Sequence, residues 1–269
     1  MTRFRDAHVL VTGAASGIGR LMALGAASRG ARLTLWDRDA AGLAAVAKEI
    51  EAAGGRVATA TVDLTDRTGI QAAAARTLEA GDRVDILINN AGIVSGKTLL
   101  ECSDEAIERT FQVNALANFW TVRAFLPAMM EAGKGHIVTV ASAAGLAGTS
   151  RLVDYCASKF AAVGFDESLR MELKRLGSPI QTTVVCPFYI DTGMFQGVKT
   201  RFPWLLPILK PDYVTRRILG AIEGNRRRLV MPRFVLTVPV VRILPPSLFD
   251  AVLGFFGVNR SMDEFVGRH

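Results

Sequence analysis

Short apolar runs alternate with longer Ala- and Leu-rich stretches of helical period along most of this chain. Apolar runs bounded by turn residues predict strands near residues 7–12, 32–36, 56–61, 84–88, 136–141, 180–186 and 228–231. The longer stretches predict helices near 17–29, 39–53, 67–80, 104–116, 118–132, 152–176 and 211–223. Strand and helix alternate almost without exception. That order predicts an α/β fold with a parallel sheet of about seven strands covered on both faces. No repeat, low-complexity tract or Pro/Ser-rich linker divides the sequence, so residues 1–269 read as a single domain.

The last quarter breaks the pattern. Residues 202–209 and 234–241 are apolar runs broken by prolines, the second flanked by Arg233 and Arg242, and residues 248–258 add another apolar patch. None reaches the ~18 to 20 residues that span a bilayer, so a transmembrane helix is rejected. The first strand begins almost at once, and the sequence reads as lacking a signal peptide or N-terminal anchor. Residues 188–210 are expected to form a substrate lid region and residues 230–269 an apolar C-terminal extension. Such segments suit a cover over a lipophilic pocket or packing between subunits. These are weighed above a membrane interface by roughly two to one.

Composition changes this picture little. Half the residues are hydrophobic and few are aromatic, so the core is built mainly of Ala, Val, Leu and Ile. The net charge of +7 brings nucleic acid to mind as a partner. The basic residues are dispersed, except Arg226-Arg227-Arg228, and do not interleave with aromatics. Nucleic acid is therefore not expected, and the triple arginine reads as a solvated turn. Cys102, Cys156 and Cys186 have no paired spacing, and Cys156 reads as a small buried residue. His8, His136 and His269 form no ligand pattern, so no metal is expected. The localisation expected is cytoplasmic, with peripheral contact at a membrane left open.

The chemistry sits in a few residues. Tyr155 and Lys159 lie four apart, on one helix face. A phenol of pKa ~10 is a poor proton shuttle at neutral pH. A neighbouring ammonium is expected to favour the phenolate and move it toward the working range. Ser142 follows an apolar strand and offers a hydroxyl to a substrate oxygen. Upstream, Thr12-Gly13-Ala14-Ala15-Ser16-Gly17-Ile18-Gly19 joins a strand to a helix. Gly13 permits a tight turn, Gly17 a close approach of backbone to pyrophosphate, and Gly19 close packing of helix on sheet. Asp37 ends the second strand, where an acid bonds ribose hydroxyls and repels a 2′-phosphate. That favours NAD, while Arg38 keeps NADP possible.

Together these residues resemble the short-chain dehydrogenase/reductase family. The match runs through Thr12 to Gly19, Asp63, Asn89-Asn90-Ala91-Gly92, Asn114, Ser142, Tyr155, Lys159 and Pro187 to Thr192, over about residues 7 to 195. The resemblance implies a Rossmann-type doubly wound sheet and nicotinamide-dependent hydride transfer. It implies a catalytic tetrad of Asn114, Ser142, Tyr155 and Lys159. In this reading Asp63 and Leu64 lie near the adenine, and Asn90, Ala91 and Gly92 along the adenosine ribose. Tyr155, Lys159, Pro187, Ile190 and Thr192 line the nicotinamide end. The Asn114 side chain is expected to hold a water linking Lys159 to solvent.

The stretch Pro187 to Phe195, with Arg201-Phe202-Pro203, Met231-Pro232 and Ser261-Met262-Asp263, is similar to one branch of that family. The branch contains retinol dehydrogenases and 17-beta-hydroxysteroid dehydrogenases. It implies a hydrophobic alcohol, or its ketone or aldehyde, as substrate, with Phe188, Met194, Phe195 and Trp204 against it. Phe188 stands where the family commonly has Gly, which narrows the nicotinamide pocket or points a ring at the substrate. Family members are commonly dimers or tetramers packed through the helices near 104–132 and 152–176. Two rivals stand beside this reading: an NADPH-dependent reductase of a polar or ketoacyl substrate, and a dinucleotide-binding regulator without turnover.

Overall fold

A computed structural model describes residues 1–79 and 83–267. Seven strands form one parallel sheet: β1 (His8–Thr12), β2 (Arg32–Asp37), β3 (Arg56–Thr61), β4 (Ile86–Asn89), β5 (His136–Val140), β6 (Gln181–Pro187) and β7 (Arg228–Met231). Their order is β3-β2-β1-β4-β5-β6-β7. The chain winds outward from β1 in one direction and from β4 in the other. The crevice between them is the place where such sheets take ligands.

Alternation along the strands divides the core between two faces. Val9 and Val11 of β1 face one layer and pack with Met22 of α1 (Gly17–Ala27), Leu43 of α2 (Ala40–Ala52) and Ile218 of α7 (Pro211–Glu223). Leu10 and Trp36 face the other, against Ile70 of α3 (Arg67–Glu79) and Phe125 of α5 (Ala117–Glu131). Each such fully buried large side chain contributes about 1.5–3 kcal/mol. One strand departs from the expectation of cover on both faces. β3 is an edge strand, and four of its six residues are exposed. Its Ala and Thr side chains have little apolar surface to bury.

The helices fall where periodicity predicted, with one instructive difference. The predicted helices near 104–116 and 118–132 form one continuous rod. α4 (Asp104–Phe111) runs through a π-helical turn, Gln112–Leu116, directly into α5. A π-turn inserts an extra residue and re-aims its side chains. Here it leaves Asn114 and Ala115 buried. Residue 80, the end of the predicted third helix, lies outside the described residues. α6 (Val153–Arg175) follows a short 3-10 turn at Ala143–Gly145.

Beyond β7 the chain breaks into short pieces. A 3-10 turn (Arg233–Thr237) is followed by α8 (Val238–Val241), α9 (Pro246–Phe255) and a second 3-10 turn (Val258–Arg260). Pro245 and Pro246 stop one helix and start the next, and Gly257 turns the chain with φ +72°. The irregular segment therefore begins after Met231, not at residue 230, because Val230 and Met231 pair with β6. Among the described residues no helix is long and apolar enough to cross a membrane, and no three or more His, Cys, Asp or Glu side chains are grouped so as to hold a metal ion. All three cysteines are free, with Cys156 and Cys186 buried. His136 is buried against Thr2 and Thr183, and burial pushes its pKa down to about 4. His269 lies outside the described residues.

Candidate active site

The loops leaving β1, β2 and β4 brace one another at the crevice. Gly13 has φ +66°, and a Cβ there would lie 2.8 Å from the Ala91 Cα. Only glycine fits that turn and that approach together. A Cβ on Gly19 would overlap the Gly13 carbonyl oxygen, so helix α1 seats tightly against the turn before it. Asn90 Nδ2 donates to the carbonyls of Thr12 (3.0 Å) and Gly13 (3.1 Å). Thr12 Oγ1 accepts from the amides of Asn90 and Ala91. Asp37 Oδ2 accepts from the Ala15 amide at 3.0 Å. Asp39, one turn later, caps α2 through the Gly42 amide.

The result is a polar cleft of about 440 Å³. Gly13, Ser16, Asp37, Arg38, Asp63, Leu64, Asn90, Ala91 and Gly92, all singled out in the sequence, line it. Hydrogen bonds from Thr65 hold the Asp63 carboxyl below its ordinary pKa, with help from Arg109 and Arg38. Ser16 lies at the N-terminus of α1, where backbone amides and the helix dipole favour phosphate. Glycine backbone at the turn and carboxylates beyond β2 and β3 fit a dinucleotide.

A narrow neck of about 80 Å³ opens from this cleft. Ile18, Ser142, Tyr155, Lys159, Pro187, Phe188, Ile190 and Thr192 line it, with Asn90, Gly92 and Met194 shared with the polar cleft. Ser142, Tyr155, Phe188 and Phe195 in turn are shared with a third space, an apolar cavity of about 310 Å³. Phe234, Phe249, Val252 and Phe256 from the segment after β7 form much of its wall. The phenol and the Ser142 hydroxyl thus stand where a polar cleft and an apolar cavity meet.

The proton chemistry differs from the expectation. Burial pushes the Tyr155 phenol well above its ordinary pKa, and the Ser142 hydrogen bond only partly offsets this. Lys159 does not reverse it. Its Nζ lies 5.7 Å from the Tyr155 ring centre and donates to the Val140 carbonyl at 3.0 Å. Burial also lowers the lysine's own pKa to about 8. Sequence proximity suggested Coulombic attraction; tertiary burial makes desolvation the larger effect for both groups.

Asn114 is also tied differently. Its Nδ2 donates to the Ile93 carbonyl (2.9 Å) and to Ser158 Oγ (3.0 Å), and its Oδ1 accepts from the Ile93 amide (2.8 Å). Ser158 Oγ donates to the Tyr155 carbonyl at 2.7 Å. Both amide hydrogens therefore clamp the loop after β4 to the helix carrying Tyr155, where the sequence suggested a water-holding role. Asp154, unremarked in the sequence, strengthens the clamp. It is buried and accepts from Ser95 Oγ and Thr110 Oγ1, both at 2.9 Å.

Two substrate-side expectations need correction. Trp204 is 80% exposed and lines none of these three spaces. The turn after Pro203 sends Leu206 inward instead. Met194 lines the polar cleft and the neck, not the apolar cavity. Phe188 and Phe195 do reach the cavity, and Phe195 meets Tyr155 edge-on at 5.8 Å. Sequence reasoning missed Tyr189, Phe249 and Phe256 on the cavity, and Arg109 and Phe265 on the cleft. The run at 248–258 was conspicuous as apolar, but one-dimensional pattern carried no direction for its rings.

Comparison with known proteins agrees with this architecture. Residues 7–201 match the short chain dehydrogenase family model. The chain is 44% identical over 263 residues to short-chain dehydrogenase/reductase family 16C member 6 of Bos taurus, covering 97% of this chain and 83% of the relative. It is also 44% identical to epidermal retinol dehydrogenase 2 of Homo sapiens, covering 96% and 84%. A short-chain dehydrogenase/reductase from Burkholderia phymatum, solved with NAD, superposes with TM-score 0.82 at 30% identity, covering 90% of this chain and 95% of that one. A metagenomic short-chain oxidoreductase, solved with NADP, gives 0.72 at 30% identity, covering 85% and 98%. Sheet order, glycine turn and sequence kinship agree: the chain belongs to the short-chain dehydrogenase/reductase family and is a nicotinamide-dinucleotide-dependent oxidoreductase.

Proposed function

We propose that this oxidoreductase moves a hydride between NAD(H) and a hydrophobic alcohol or its ketone or aldehyde, of retinoid-, steroid- or lipid-like class. One observation carries the reading: Ser142 and Tyr155 belong at once to the neck of the polar cleft and to the apolar cavity. A substrate carbon chain fits the cavity while its oxygen meets the two hydroxyls. The nicotinamide, when bound, supplies or accepts the hydride.

The protein's part is placement and proton handling. Gly13, Ser16, Gly17, Ile18 and Gly19 cradle the phosphates, and Asp37 receives the ribose hydroxyls. Asp63 and Leu64 flank the adenine, and Asn90, Ala91 and Gly92 follow the adenosine ribose. Pro187, Ile190 and Thr192 hold the nicotinamide end, beside Lys159. Ser142 fixes the substrate oxygen. Tyr155, kept protonated by its burial, donates its proton to a carbonyl oxygen in reduction. Oxidation runs the same transfer backward and is favoured as pH rises. Asn114 and Asp154 position these groups and do not touch the substrate. The carboxylate of Asp37 favours NAD over NADP, with Arg38 working against it.

The test is direct. The full chain is assayed with NAD and NADP against all-trans-retinol, a steroid alcohol and a sugar alcohol, following absorbance of the reduced cofactor. NAD-linked oxidation of the two lipophilic alcohols is expected. Tyr155→Phe should lower it about a thousandfold while NADH binding stays intact. Turnover confined to the sugar alcohol would sink the substrate class. Tight NADH binding with no turnover of any alcohol or carbonyl would favour a regulator instead.

A further inference from the structure

The segments that wall the apolar cavity are apolar on their outer side as well. Val235 is buried and Leu236 exposed; Phe256 lines the cavity and its neighbour Phe255 is 57% exposed. Val238 and Val241 face inward, while Val240 is 67% and Ile243 83% exposed. In the neighbouring lid, Leu206 points in and Trp204 points out. A soluble helix ordinarily carries polar residues on its outer face. Here a wall about one side chain thick separates a lipophilic cavity from an exposed apolar face.

The rim of this face is basic. Residues 201–210 and 233–260 contain five basic side chains, Arg201, Lys210, Arg233, Arg242 and Arg260, and one acid, Asp250. The chain as a whole has 32 basic to 25 acidic residues, so the excess is concentrated here. Arg201 lies over the rings of Phe202 and Phe255, each at 5.3 Å, and donates to the Phe255 carbonyl. Arg242 lies over Phe160 and Phe249 and donates to the Leu146 carbonyl. Both guanidinium groups are thereby held at the edge of the apolar face. Exposed aromatic and aliphatic side chains ringed by arginine match an anionic lipid surface, with hydrocarbon below and phosphate at the edge. An exposed Trp belongs at such a boundary.

We propose that the outer face of residues 201–208 and 236–255 docks on an anionic membrane, so that lipophilic substrate passes from the bilayer through the thin wall into the cavity. Docking requires neither cofactor nor turnover, so it stands or falls separately from the hydride-transfer reading. The experiment is flotation of the full chain with phosphatidylcholine vesicles, with and without phosphatidylglycerol. Binding to the anionic vesicles is expected, falling as salt rises, with little binding to phosphatidylcholine alone. Trp204→Glu with Ile243→Glu should weaken it about tenfold or more, with circular dichroism and NADH affinity unchanged. Arg233→Ser with Arg260→Ser leaves the apolar face intact and should weaken only the anionic preference. The proposal is overturned if the wild-type chain ignores both vesicles, or if the Trp204/Ile243 variant binds as well as wild type. It is equally overturned if this face instead joins two copies, seen as a dimer that the same variant converts to monomer with no vesicle binding.

Discussion

The polar cleft and the apolar cavity meet through the neck between them, yet they are built in opposite ways. The cleft is made by short turns at the ends of β3, β2, β1 and β4, each tied by hydrogen bonds to its neighbour in the sheet, with Val62 donating to Asp37, Ala15 to Asp37, and Asn90 to Thr12 and Gly13. Its residues act through backbone shape and fixed charge. The cavity is made by rings and aliphatic side chains from pieces interrupted by proline, packed edge to face. Its residues act through volume and exclusion of water. A site of the first kind takes one cofactor with little tolerance. One of the second kind accepts a class of molecules, because a hydrophobic wall discriminates by only a few kcal/mol per group. Recognition is thus divided across Tyr155 and Ser142: strict on one side, permissive on the other.

Perturbations on each side should separate the two. The largest effect is expected from Gly13→Ala. The φ of +66° and the contact with Ala91 add roughly 1–3 kcal/mol of strain. NADH affinity, followed by fluorescence titration, should fall up to about a hundredfold, while binding of a lipophilic probe in the cavity is kept. Loss of both together would mean that the two spaces form one cooperative unit. Val252→Trp works from the other side by filling the cavity. The KM for a bulky alcohol should rise about tenfold, with the KM for a short alcohol and the NADH affinity unchanged. An equal rise for both alcohols would place substrate elsewhere.

Smaller effects sharpen the picture within the cleft and behind it. Asp37→Ala should shift the NAD-to-NADP preference by about tenfold, read as the ratio of kcat/KM values. No shift would mean that Arg38 already dominates. Asp166, buried on α6 behind the site, has its carboxyl raised to about 7 by desolvation, with partial relief from Arg170 and Thr182. Its folded pKa exceeds the unfolded value of 3.8. The stability it contributes is therefore complete below that lower value and is lost as pH rises through about 7. Thermal melts should show lower Tm at pH 8 than at pH 5, by a few degrees, and Asp166→Asn should flatten the difference. A wild-type Tm independent of pH would exclude this role.

Much of the cleft was legible before any coordinates. Gly13, Gly17 and Gly19 lie within one turn of chain, and Asp37 follows a strand whose neighbour carries them. Spacing alone therefore placed them together. Tyr155 and Lys159 likewise share a helix face by simple periodicity. The cavity was legible only as a surplus of apolar residues. Trp204 illustrates the limit: in sequence it is indistinguishable from Leu206, yet one faces water and the other the cavity. The π-turn at Gln112–Leu116 was also hidden, since periodicity over 104–132 fits a regular helix nearly as well.

The amino-acid order by itself determined the alternating strands and helices, the glycine turn, the carboxylates beside it and the pairing of Tyr155 with Lys159. The helices, the turn and the Tyr155–Lys159 pairing depend on contacts between residues few positions apart, and Asp37 comes beside the turn through the parallel pairing of β1 with β2. Only the tertiary structure decided which rings line the cavity, what Asn114 and Asp154 hold, and which effect governs the buried phenol. Those outcomes depend on desolvation and on packing between segments more than forty residues apart, such as Asn114 with Ser158. Neither quantity is written in any local stretch of sequence.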